Sequence, residues 1–156
     1  MIQEHGRVFQ VNVSNGGVPK LPVREAWVTA LGLKGDRQRN TTAHGGPERA
    51  VCLYSLERIL SLQAEGHPVF PGSAGENLTL FGVDWDEVTP GKRLKIGEDV
   101  LLEVVSYTTP CDNLTPFFLE GNFNRIHQAK RPGWSRVYAK VLREGEVRTG
   151  DRVVIE

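Results

Sequence analysis

A mostly β fold is what this 156-residue sequence predicts: a barrel-like mixed or antiparallel sheet with one or two peripheral helices. Three observations carry that expectation. Seventeen glycines and nine prolines punctuate short apolar runs. Turn signals return roughly every ten residues, the spacing of short strands in sandwiches and barrels. Only one stretch, SLERILSLQAEG, shows a clear helical period.

Eight candidate strands lie between the turn signals, at residues 7–13, 25–31, 50–54, 77–81, 93–97, 100–107, 137–142 and 151–156. Phe9, Val11 and Val13 alternate with polar neighbours, as in a strand with one buried face. The run from Val100 to Val105 is more uniformly apolar, which suits a central strand. The ending LREGEVRTGDRVVIE reads as the last two strands of a small barrel, joined by a turn around Gly150. The helix over residues 55–66 has Ser55 as N-cap, Leu56, Ile59, Leu60 and Gln63 along one face, and Gly66 and Pro68 as stop signals. A second helix is expected over residues 122–130. Segments 14–23 and 68–76 read as loops, and Trp27, Trp85 and Trp134, beside strands, read as core residues.

Length and charge limit the function classes. One domain, residues 1–156, is expected, since a chain of this size buries about two thirds of its unfolded surface in one core. Nineteen basic and nineteen acidic residues cancel, so the balance points to neither a nucleic-acid nor a membrane partner. The opening MIQEHGRVFQ has neither the basic flank and apolar core of a signal peptide nor a membrane-spanning run, which makes the cytoplasm the expected location. Cys52 and Cys111 make no disulfide framework for a reducing compartment and match no compact zinc motif.

The two thiols differ in setting. Cys52 lies within AVCLY, where a small soft side chain suits a core strand. Cys111 lies in TTPCDNLTPFF, after a proline that biases Thr109 toward extended backbone and before Asp112 and Asn113, which favour a turn. A strand end of that kind presents a reactive group. Around it are loops with anion-binding character. AHGGPERAV offers Gly45 and Gly46, whose backbone N–H groups can converge on an anion, with His44 and the bidentate Arg49. GGVPK offers Lys20, SAGENL offers Glu76 and Asn77, and LGLKGDRQ offers Asp36 and Arg37. Taken alone, each loop also reads as ordinary turn chemistry with solvated charges. A Cys111 nucleophile paired with His44 or His127 stays open, because such partners meet only in space. No P-loop or nucleophile-elbow pattern is present.

Taken in order, GGVPK, GLKGDR, AHGGPERAV with LYSLERIL, GENL, PCDNL, PGWSRVYAKVL and GDRV resemble the MOSC domain, named for the C-terminal region of molybdenum-cofactor sulfurase, in its small stand-alone form. The resemblance runs from about residue 14 to 155. It implies a barrel of the pyruvate-kinase β-barrel type and binding of the molybdenum cofactor (molybdopterin), with Cys111 as the metal-ligating and catalytic sulfur. It also implies that Lys20, His44, Gly45, Gly46, Arg49 and Asn77 line the pterin and phosphate pocket. The activity implied is reduction of N-hydroxylated small molecules, with electrons from a separate donor protein, since the chain has no flavin or nicotinamide fingerprint. The alternative is a sulfur carrier that holds a persulfide on Cys111 for a sulfur-accepting partner. One departure stands out: many small relatives have an arginine shortly before the Pro-Cys pair, where this chain has Tyr107, Thr108 and Thr109.

Overall fold

The computed structural model describes residues 6–37 and 46–156. Its strands are β1 (Gly6–Val13), β2 (Leu21–Val23), β3 (Glu25–Thr29), β4 (Gly32–Leu33), β5 (Val51–Ser55), β6 (Leu78–Phe81), β7 (Arg93–Ile96), β8 (Val100–Tyr107), β9 (Val137–Arg143), β10 (Gly145–Arg148) and β11 (Arg152–Ile155), with helix α1 at Leu56–Ala64. Seven of them close on themselves in the order β11-β7-β8-β9-β5-β6-β1, with β11 returning to β1. Closure removes the exposed edges that an open sheet of this size would leave. Strand β1 shares one edge, pairing with β11 through Gly6 and Arg7 and with β2 through Val11 to Val13. The barrel is mixed, because β5 and β6 are parallel, as a crossover through α1 requires.

The core fills the barrel with β-branched and leucine side chains, among them Val8, Val11, Leu53, Leu78, Leu80, Leu94, Leu102, Val104 and Ala139. Strand β8 is central, between β7 and β9, yet it buries alternate residues Val100, Leu102 and Val104. Its other face is only partly covered, so the uniform apolar run does not mean burial on both sides. Alternation in β1 takes a different phase from the one expected. Val8 and Val11 are buried and Phe9 lies outside, edge-to-face on Phe81, because the register with β6 slips between Val8 and Gln10. A bulge adds one residue and moves the following side chains to the opposite face.

The last two strands also differ from expectation. The turn at Gly150 joins β10 to β11, but β10 pairs with β3 in a separate three-stranded sheet, β10-β3-β4, while β11 closes the barrel. Gly150 N–H donates to Val8 O (2.7 Å), which makes the turn a corner between sheets. Trp27, on β3 of that small sheet, is 46% exposed and so is no core residue, whereas Trp85 is buried. Trp134 is half-buried between two guanidiniums, with Arg125 Cζ 3.9 Å and Arg58 Cζ 5.0 Å from its ring centre.

Ser55 caps α1, accepting from Arg58 N–H at 3.1 Å. The buried stripe is Ile59 and Leu62; Leu60 and Gln63 face outward. The helix expected over residues 122–130 is instead a single 3-10 turn, Phe123–Ile126. Glu120 and Gly121 both take positive φ (55° and 68°), which breaks the preceding helical path. Arg125 is held sideways by two hydrogen bonds to Glu65 (2.8 and 2.7 Å), fastening this segment to the end of α1. No helix among the described residues is long and apolar enough to cross a membrane.

Candidate functional site

Strand β8 ends at Tyr107, and the chain continues extended through Thr108, Thr109 and buried Pro110 to Cys111 (φ −136°, ψ 176°). Cys111 then begins a 3-10 turn, its carbonyl accepting from Leu114 N–H at 3.0 Å. Held so, its thiol is half-exposed and lines a pocket of about 630 Å³, open mouth included. The facing walls come from three places: the 14–20 loop (Gly17, Val18, Lys20), the segment before β6 (Ala74, Gly75, Asn77) and the start of β9 (Arg136, Tyr138). Cys52 on β5 forms part of the floor.

Lys20 and Asn77 are both in this pocket, and both are engaged by Asp36. The Lys20 ammonium donates to Asp36 Oδ1 (2.7 Å), the Asn77 amide to Asp36 Oδ2 (2.8 Å), and the Ser14 N–H to Asp36 Oδ1 (2.9 Å). Asn77 also accepts from Cys52 N–H through Oδ1 (3.0 Å), while its own N–H donates to Cys52 O (2.8 Å). These bonds tie the ends of β5 and β6 where parallel pairing begins. Asp36 is therefore not a solvated charge: its side chain is 4% exposed and that of Lys20 is 7%. Arg37, next to it, does face solvent.

Glu76 turns away from the pocket. Fully buried, it accepts from Gly72 N–H (3.1 Å) and Thr79 Oγ1–H (2.9 Å), and its Oε1 has no partner among the described residues. Burial pushes its carboxyl up from the ordinary range, toward the neutral form. Asn12, bonded to Thr79 Oγ1 (3.1 Å) and to Glu76 O (3.1 Å), completes a polar layer behind the wall. Burial likewise raises the Cys52 thiol, whose sulfur lies 3.8 Å from Thr108 Oγ1. Cys52 is thus the inert thiol of the pair. Tyr138 is pushed up to about 12, chiefly by burial, and keeps its proton at neutral pH.

Of the glycine loop, His44 and Gly45 lie outside the described residues. Gly46 (φ 93°) precedes the 3-10 turn Pro47–Arg49, and exposed Arg49 places Cζ 5.8 Å from the centre of the Tyr138 ring. Neither Gly46 nor Arg49 is among the pocket-lining residues. His127 is not there either, and its Nδ1 accepts from Ala129 N–H at 3.1 Å.

Sequence reasoning missed Arg136. The residue is 6% exposed and lines the pocket; its Nη1 donates to Ala74 O (2.6 Å), its Nε has no partner, and it forms no ion pair among the described residues. Its signal was available in PGWSRVYAKVL, a charge at the entrance to a strand whose next three residues are buried. Thr108 N–H donates to Arg136 O at 3.0 Å, so Arg136 lies directly across from the stretch in which an arginine was expected.

Comparison with known proteins agrees with this architecture. Among solved structures, YiiM from Geobacillus stearothermophilus matches with a TM-score of 0.74 at 25% identity, over 97% of this chain and 75% of that one. Among curated sequences, the uncharacterized protein YflK of Bacillus subtilis is 30% identical over 136 residues, covering 86% of this chain and 60% of its own length. A protein named "Reductase" from Gibberella moniliformis is 33% identical over 130 residues, covering 80% of this chain and 22% of its own. The chain thus spans less than two thirds of either curated relative. The family model for the MOSC domain matches residues 40–154, and with the barrel and these relatives it establishes that the chain belongs to the MOSC domain family.

Proposed function

We propose that this protein binds the molybdenum cofactor in the Cys111 pocket and uses it to reduce N-hydroxylated small molecules. MOSC domains as a family are associated with that cofactor. The observation that carries the reading is one juxtaposition: a half-exposed thiol and a buried arginine with unused donors line the same pocket.

The residues present fit the group. A thiolate is a suitable soft ligand for the metal, and Arg136 offers a charged donor set for phosphate or oxo oxygens. Gly17 and Gly75 let backbone approach a flat ring, while Val18, Leu114 and the Tyr138 ring supply apolar walls. Cys111 would ligate the metal; Lys20 and Asn77, in the pocket lining, and His44, Gly45, Gly46 and Arg49, which are not among the described lining residues, are the further residues proposed for the pterin and phosphate. When bound, molybdenum supplies two-electron removal of oxygen from an N–O group. The chain's own contribution is positioning. Asp36 fixes Lys20 and Asn77 in one wall, and the turn after Pro110 holds Cys111 in the pocket lining. Electrons come from a separate donor protein in this reading.

Metal analysis of protein purified from cells that make the cofactor tests the proposal. Stoichiometric molybdenum in the parent and its loss in Cys111→Ala are expected; no metal in either would sink it. The half-exposed thiol also suits a persulfide carrier. A gain of one sulfur on Cys111 after incubation with a cysteine desulfurase, with no metal bound, would select that second reading.

A further inference from the structure

Among the described residues two cations line the Cys111 pocket, and they are in opposite states. The charge of Lys20 is offset by Asp36 at 2.7 Å. Arg136 has no such partner: of the five N–H donors a guanidinium carries, the one bond it makes among the described residues is Nη1 to Ala74 O. Its Nε is orphaned although the side chain is more than nine-tenths buried. A buried charge with unused donors is costly unless something completes it. Glu76, in the polar layer behind, is near enough for the charge of Arg136 to act on it, but no hydrogen bond or ion pair joins the two, the Glu76 bonds going to Gly72 and Thr79. The neighbouring walls, Val18, Leu114 and the Tyr138 ring, keep the local dielectric low and so strengthen the attraction between Arg136 and an anion that enters.

We propose that Arg136 is the anion-recognition residue of this pocket, and that the group it takes beside Cys111 is a compact oxyanion. Carboxylate, sulfonate and phosphate monoester share that chemistry. The group belongs either to the small-molecule substrate or to the phosphate end of the cofactor. Assigning it to one of these sources rests on the function proposed above; the anion preference itself does not.

The bare chain tests the preference through Cys111. Iodoacetate and iodoacetamide both alkylate a thiolate by displacing iodide, and they differ in one negative charge. In the folded parent, the iodoacetate-to-iodoacetamide rate ratio at Cys111, read by peptide mass mapping, should exceed that of free cysteine by about tenfold. Millimolar inorganic phosphate should protect Cys111 from iodoacetate. Arg136→Gln should return the ratio to the free-cysteine value and abolish protection, while Arg136→Lys should keep most of both. A parent ratio equal to that of free cysteine overturns the proposal, and because this reading needs no variant, misfolding of Arg136→Gln cannot obscure it.

Protein loaded with cofactor then separates the sources. Loss of molybdenum retention in Arg136→Gln assigns the anion to the cofactor. Unchanged retention with a KM raised about tenfold or more for an acidic N-hydroxylated substrate, and not for a neutral one, assigns it to the substrate. Neither change, in protein that does load molybdenum, also overturns the proposal. Failure of the parent to load would count against the cofactor reading and leave the alkylation result standing.

Discussion

Replacing Asp36 by Asn is the most demanding test of how the pocket wall is built. The carboxylate accepts three hydrogen bonds, from Lys20 Nζ, Ser14 N–H and Asn77 Nδ2–H, and its side chain and that of Lys20 are 4% and 7% exposed. Asp36→Asn keeps the shape but leaves the Lys20 ammonium buried without a counter-charge. Breaking a buried pair in this way costs about 3–5 kcal/mol. For a chain of this length each kcal/mol lowers Tm by about 2–4 °C, so the midpoint should fall by roughly 6–20 °C. Urea and thermal denaturation of the parent, Asp36→Asn, Lys20→Met and the double variant measure the cycle. The double variant should recover much of the loss, since it removes the stranded charge. A loss below about 1 kcal/mol in Asp36→Asn, or a double variant equal to the sum of the singles, would refute the argument that this pair is buried and coupled.

Two further outcomes follow from neighbouring residues. Because burial raises the folded-state pKa of Glu76 above its ordinary value of 4.5, the folded chain binds that proton more tightly than the unfolded one. The resulting stability is full below the ordinary value and is lost as pH rises through the raised one. Glu76→Gln should therefore flatten the stability decline on raising pH from about 5 to 8, measured by urea midpoints; parallel curves for parent and variant would contradict it. At Gly72 (φ 91°) an added Cβ would lie 2.3 Å from Lys20 O, whereas at Gly16 (φ 111°) nothing lies within 4 Å. Gly72→Ala should thus cost clearly more than the roughly 1–2 kcal/mol of left-handed strain expected for Gly16→Ala, and equal urea midpoints would show the close approach to be relieved.

What the sequence determined by itself is local. Turn-rich punctuation defined the eight expected strands, and Ser55 with the leucine pattern defined where α1 starts, because backbone preference and capping act within a few residues. The Pro110-Cys111 turn was legible for the same reason. Tertiary structure decided the rest. A one-residue bulge in β1 turned Phe9 outward, and partner choice sent β10 to β3 while β11 closed the barrel. Charge states in the pocket were set by residues far apart in the chain: Asp36 fell beside Lys20 and Asn77, whereas no carboxylate among the described residues makes an ion pair with Arg136. Closing a barrel brings such positions together through pairings between distant segments, and whether a buried charge is offset or left for a ligand depends on those neighbours alone.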